Sequence, residues 1–341
     1  MTAIASTSTA RLVAIVALCI ALSLFFFAPS LWIVRQPMPG SYQWDRALTY
    51  LLQCEQPFRR DIETAMHWRL LPPLVAHTLH LPGRSPLALP WLGAVAAIAY
   101  IAVLIRRRCG DPRAILGGTL TFVSTSAVLV PFGLLGLNDA WVWLGLFAVA
   151  FGRARWALPL ACLLCPWVDE RFIIGFPLAW IVARIDRREP IYSRELLSPL
   201  WLLPYVALRL GLPRPEAGTN GTTSGFLAYV VASFGTLVPL IALGWWFGLR
   251  AAWAGVACAI WNCPRGYRIV ATLVLCGTLL ATAVLAHDIS RSIAIILPVA
   301  LLGCFEFHRR TPSLAPRVFL TVGIVSLLLP AAHVIYRTVQ P

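Results

Sequence analysis

Three short stretches set acid beside base or amide in otherwise apolar sequence: Asn138-Asp139, Asp169-Glu170-Arg171, and His287-Asp288 with Ser290-Arg291. A fourth, Asp45-Arg46, stands in a longer polar segment that also carries Arg69. A carboxylate in a partly desolvated pocket can act as a general base toward a hydroxyl, because burial raises its pKa toward neutrality. Arginine on the same face can hold a phosphate or pyrophosphate, its planar fork matching two oxygens at once. The same groups equip a proton-coupled transporter equally well. Each pair could also be a salt bridge between helix ends, as Asp169 with Arg171 or Asp288 with Arg291.

Other chemistries lack their residues. The chain has no Gly-rich phosphate loop followed by Lys, no HExxH and no GxSxG. His77 and His80 have helical spacing and His67 lies on the same segment, but a metal site would need a third ligand placed by the fold, so the expectation is an amphipathic surface helix. Cys162 and Cys165 have CxxC spacing inside LPLACLLCPW, where two small core residues are the simpler reading. The sequence therefore names no metal ligands and no cofactor, although a phosphate-handling site would accept a divalent metal.

The elements that must position these residues are apolar helices. Only 12% of the chain is charged, 59% is hydrophobic and the mean hydropathy is +0.77. A soluble domain is about a quarter charged, whereas in lipid such a composition is ordinary and the backbone satisfies itself as helix. The fold class expected is all-α: one integral membrane domain over 1–341, a polytopic bundle of about ten or eleven transmembrane helices. Expected spans are 12–34, 86–105, 114–133, 140–152, 156–168, 172–184, 195–212, 226–248, 269–286, 292–305 and 318–336, with 251–262 ambiguous. Segment 35–85 is the longest polar stretch and reads as a first external loop with amphipathic helices.

The net charge of +14 comes from 28 arginines, with no lysine, set in short groups between the spans. The positive-inside rule explains that spacing better than a nucleic-acid surface does, so no nucleic-acid partner is expected. Arg106 to Arg108, Arg184 to Arg188 and Arg309-Arg310 are then cytoplasmic, as is the N-terminus. Helix eight should descend to Arg250 on that face. Asp45, Asp139, Asp169, Glu170 and Asp288 fall on the opposite, external face, while Asp111, Asp186, Glu189, Glu195 and Glu306 sit among the arginines.

This pattern resembles the GT-C-type polytopic glycosyltransferases, which use polyprenyl-phosphate-linked sugars at the external membrane face. The similar features are a long loop after helix one, an early acid in it (WDRALTY, Asp45), and an Arg-Leu-Leu-Pro element in HWRLLPPL (Arg69). WVDERF and HDISRS look like helix-end motifs of bacterial members. The resemblance implies an inner-membrane, cell-envelope transferase whose partners are membrane lipid and a polyprenyl-phosphate-linked sugar. It makes Asp45 the catalytic base, with Asp139, Asp169 and Asp288 as substitutes. Arg69, Arg171 and Arg291 become phosphate ligands, with Glu170 and His287 beside them. A multi-pass transporter, flippase or membrane assembly protein is the other class these acids would serve.

Overall fold

The computed structural model describes residues 7–27, 42–59, 61, 64–190, 194–211, 232–285, 288–330, 333–335 and 338–340. The described residues are predominantly helical. In chain order the helices are α1 Thr9–Phe27, α2 Tyr42–Glu55, α3 Thr64–His67, α4 Leu71–Thr78, α5 Ala88–Cys109, α6 Pro112–Val123, α7 Ser126–Gly133, α8 Asp139–Phe151 and α9 Ala157–Leu164. They continue as α10 Arg171–Arg187, α11 Leu203–Gly211, α12 Phe234–Leu249, α13 Ala252–Asn262, α14 Arg265–Leu285, α15 Ile289–Ser292, α16 Leu297–Arg310 and α17 Ala315–Leu328. Short 3-10 turns at Ser85–Leu87, Cys165–Trp167, Arg194–Leu202 and Ile293–Ile296 link them.

Among the described residues four helical stretches are long and apolar enough to cross a bilayer: Thr9–Phe27, Ser85–Cys109, Arg265–Val284 and Ile289–Arg310. The number rises to 6 if each of two bent pairs is one span. The spans expected over 140–152, 156–168 and 318–336 are the shorter apolar helices α8, α9 with its 3-10 turn, and α17. Ile289–Arg310 is the central strut, with 94% of its apolar window buried, against 17% for the peripheral Thr9–Phe27. On the periphery Phe25 and Trp261 are each 82% exposed, as suits side chains that meet lipid rather than water.

Glycine lets the central helices touch through their backbones. A Cβ on Gly117 of α6 would collide with the backbone of Phe319 and Leu320 on α17, and one on Gly303 of α16 would collide with Gly255 of α13. Small residues at helix crossings are how apolar helices gain van der Waals contact where lipid supplies no hydrophobic drive.

The arginine groups do share one end of the bundle. Arg108 pairs with Asp186, Arg187 donates to the Gly152 carbonyl at 2.6 Å, and Tyr267 donates to the Glu189 carbonyl. Arg188, Arg265, Arg268, Arg309 and Arg310 line one cavity there. Asp139, Asp169 and Asp288 meet at the other end, as the separation of acids from arginines leads one to expect.

Two expectations need correction. Helix eight does not descend to the arginine-rich end at Arg250. The chain turns by 92° between Gly235–Leu249 and Ala252–Asn262, and the second arm runs on to Pro264 and Arg265 at that end. Arg250 lies at the bend with φ 51°, fully buried, its Nη1 donating to the Ser124 carbonyl at 2.7 Å and its Nη2 to the Leu329 carbonyl. Ser124 follows α6, about 18 Å along the helix from the arginine-rich end. The last helix also stops early: α17 ends at Leu328, and an antiparallel ribbon pairs His333 with Gln340 and Ile335 with Thr338. This hairpin departs from an all-α reading, and its first strand falls where the last span was expected to continue to 336; Pro330, which cannot continue a helix, stands two residues beyond the helix end.

Candidate functional site

The acids cluster because helix starts cluster. Asp139 opens α8, Asp169 lies two residues before α10 with its Oδ1 accepting from the Arg171 amide at 3.0 Å, and Asp288 caps α15, its Oδ1 accepting from the Arg291 amide at 3.2 Å. A carboxylate at a helix N-terminus meets orphan N–H groups and the positive end of the helix dipole. Close packing brings the three starts together: Gly175 of α10 leaves no room for a Cβ between Leu146 of α8 and Ile295 beyond α15. Below the Asn138 turn, Gly136 takes φ +76° and seats Tyr50 of α2.

Arginines then lock the cluster. Arg291 grips Asp139 with two donors, Nη2 to Oδ1 at 2.7 Å and Nε to Oδ2. Arg171 grips Asp169 in the same fork geometry, Nε to Oδ1 at 2.8 Å and Nη2 to Oδ2 at 2.7 Å, and reaches Asp139 Oδ1 at 3.0 Å. Arg291 Nη2 lies 3.6 Å from Asp169 Oδ2, and its Nη1 lies 3.6 Å from Asp288. Asp139 and Asp169 are 2% and 1% exposed, so these four side chains form a buried neutral core of two acids and two bases. Burial pushes the Asp169 carboxyl up, but Arg171 and Arg69 outweigh it and hold the group well below the usual carboxylate range. An arginine in the first turn of a helix opposes the dipole, so the placement of Arg171 and Arg291 reflects the cluster and not the helices.

The rim is different. Arg69, on the short link between α3 and α4, reaches Asp169 Oδ2 at 3.0 Å and Glu170 Oε1 at the longer distance of 3.9 Å. Glu170 is the more open carboxylate, its side chain 37% exposed against 2% for Asp169. Several buried polar atoms here have no hydrogen-bond partner among the described residues: Arg69 Nε, Glu170 Oε2, Arg171 Nη1, Tyr205 Oη and Arg209 Nη1. Buried polar atoms are nearly always satisfied, so five in one neighbourhood point to a polar ligand or ordered water.

Two cavities flank this rim and share Leu71. On one side an apolar groove of about 440 Å³ begins at Leu71, Trp141 and Val168, beside the cluster, and extends along α9 to Trp156 next to the arginine-rich end. On the other a cavity of about 520 Å³ is lined by Phe58, His67, Trp68 and Trp167 with leucines of α4 and α11. Arg209 lies over the Trp68 ring, 4.9 Å from its centre, and Tyr205 packs edge-on against Trp167.

Of the residues singled out in the sequence, Arg69, Asp139, Asp169, Glu170, Arg171, Asp288 and Arg291 come together. His287 lies outside the described residues. Asp45 is exposed in the first turn of α2, pointing away from the face on which Trp44, Ala47, Tyr50 and Cys54 are buried, and no ion pair among the described residues joins it to the cluster. His67 and His77 serve the loop, their Nδ1 atoms 3.2 Å from the carbonyls of Arg59 and Cys54. Cys162 and Cys165 are unbridged and buried, Cys165 against Gly145. Among the described residues no group of three His, Cys, Asp or Glu side chains could hold a metal ion.

Sequence reasoning missed Tyr205, Arg209, Trp68 and Trp167, and it missed Asp139 as the hub. Arg171 and Arg291 at helix starts, against the dipole, were the signal for the hub's partners. Comparison with protein-family models, with curated proteins and with solved structures finds no match.

Proposed function

We propose that this chain is a membrane glycosyltransferase that takes a sugar from a polyprenyl-phosphate carrier, with the carrier phosphate at Arg69. The observation that carries this reading is the junction itself: unfilled arginine donors lie where an apolar groove meets an aromatic cavity. A lipid-linked sugar has the same three parts in the same order. The chain lies in the groove, the phosphate meets Arg69 and Arg171, and the sugar faces Trp68 and Trp167, whose rings suit the apolar faces of a pyranose.

Glu170 is the carboxylate suited to be the base. An acceptor hydroxyl gives its proton to Glu170 while its oxygen bonds to the anomeric carbon. The bond from that carbon to the carrier's phosphate oxygen breaks, and the phosphate leaves with the electron pair. Arg69 meets the added negative charge. Asp139 and Asp169 suit this role less well, because both are committed to arginine in the neutral core. Arginine groups on the cytoplasmic side would put the site on the external face of a bacterial inner membrane.

Binding tests this directly. Purified protein in detergent should retain a polyprenyl phosphate sugar, and Arg69→Ala should weaken retention about tenfold or more, as loss of a charge-assisted contact implies. Equal retention by wild type and variant rules out Arg69 as the phosphate ligand.

Transport is a second reading, favoured by the two bent helix pairs, 60° in α6–α7 and 92° in α12–α13, joined through buried Arg250. Broken helices of this kind line substrate paths in transporters. Solute flux into vesicles that follows a pH gradient would favour it.

A further inference from the structure

The arginine-rich end holds a second site that the proposed transferase chemistry does not use. Arg188 directly follows α10, Arg265 and Arg268 open α14, and Arg309 and Arg310 end α16; together they line a cavity of about 340 Å³. Glu306 is the one acid in its wall, and it is already engaged by Arg309 at 2.7 Å. Five guanidinium groups against one carboxylate leave the cavity strongly positive.

Arg268 also lines a neighbouring apolar groove of about 410 Å³ with Trp253, Ile260 and Trp261. Trp261 is 82% exposed, and tryptophan at a helix end suits the boundary between hydrocarbon and headgroups. A basic cavity opening through one shared arginine into an apolar groove is a receptor for a molecule with an anionic head and a greasy tail. A helix face that merely obeys the positive-inside rule needs neither convergence of three helix ends nor a groove attached to it.

We propose that this cavity binds an anionic phospholipid, its phosphate head among the five arginines and one acyl chain along Trp253 and Trp261. Basic pockets between helix ends bind such headgroups in membrane proteins generally, with roughly 1 kcal/mol per basic residue near the surface. The site is independent of the carrier reading, since it lies at the opposite end of the bundle from Arg69.

The test uses full-length protein in neutral detergent, titrated with phosphatidylglycerol, phosphatidylcholine or inorganic phosphate. Retained lipid is read by native mass spectrometry and Tm by thermal shift. Phosphatidylglycerol should be retained and raise Tm, while phosphatidylcholine and inorganic phosphate should do neither. Arg265→Gln with Arg310→Gln, both exposed and so neutral for folding, should cut phosphatidylglycerol retention about tenfold or more, and Trp261→Ala should cut it by a smaller factor. Equal retention of the two lipids, or undiminished retention by the double arginine variant, overturns the proposal. Stabilisation by inorganic phosphate equal to that by the lipid also overturns it, in favour of a free-anion site.

Discussion

Asp169 and Glu170 are neighbours in the chain with opposite situations: one carboxylate is clamped by Arg171 and Arg69, the other has an oxygen with no partner among the described residues. That contrast separates a structural acid from a working one. Asp139→Ala should unfold the end of the bundle, since it leaves Arg171 and Arg291 buried without their shared partner, at a cost of about 3–5 kcal/mol; a Tm within a degree or two of wild type would show the core to be dispensable. Glu170→Gln should instead leave Tm nearly unchanged and lower turnover by about 10²–10⁴, the usual share of a general base, whereas Asp45→Asn should turn over nearly as wild type does. Reversed effects would return the base to Asp45. The pH dependence has a definite sign. Because the folded Asp169 pKa is depressed, its stabilisation is complete above the unfolded value near ~3.9 and is lost as pH falls below it toward the folded value. Melting curves of Asp169→Asn should therefore depend less on pH below about 4 than those of wild type, and parallel curves would contradict the pairing.

Broken helices explain buried Arg250, which has no carboxylate partner among the described residues. Each break leaves carbonyls without intrahelical partners, and in an apolar interior every one must be satisfied. Arg250 donates to the carbonyls of Ser124 and Leu329, while the Ser126 hydroxyl lies within reach of the carbonyls of Gly248 at 3.1 Å and Ser290 at 2.6 Å. One arginine and one serine thus close both bends. Arg250→Met should cost on the order of 3 kcal/mol by stranding two carbonyls, read as a lower Tm. Gly303→Leu should be worse, because Gly255 backbone occupies the space a side chain needs; normal expression and melting of that variant would refute the close crossing. These elements show what the sequence could and could not reveal. Hydropathy marks apolar length well, and α1, α5, α14 and the strut Ile289–Arg310 were legible for that reason. It carries no direction, so a run ending at Arg250 looked like one descending span when it is an arm set at 92° to the next. The acids at helix starts were legible as Asp-x-Arg and Asp-x-x-Arg patterns. Asp139's place between Arg171 and Arg291 was not, because it depends on how α8, α10 and α15 pack.

For the whole molecule, the excess of arginine at one end, against the balanced acid–arginine cluster at the other, gives the chain a direction. Single-Cys variants at 61 and 111 should read it: an impermeant reagent applied outside should label Cys at 61 in the first loop and not at 111, where the residue caps α6 beside the arginine end. Labelling at 111 alone would invert the bundle and put the cluster on the cytoplasmic face. The central claim is that the cluster at Arg69 and Glu170 transfers a sugar from a phosphate-linked lipid, and one measurement bears on it most directly. Purified protein in liposomes, given a polyprenyl phosphate carrying a radiolabelled sugar together with extracted envelope acceptors, should release the sugar-free polyprenyl phosphate and label an acceptor. Arg69→Ala should lower that transfer about tenfold or more, and Glu170→Gln by about 10²–10⁴. If wild-type protein never releases the carrier across a panel of such donors, yet moves solute across the same liposomes with a pH gradient, the transferase account is wrong and the bent helices around Arg250 are the working part.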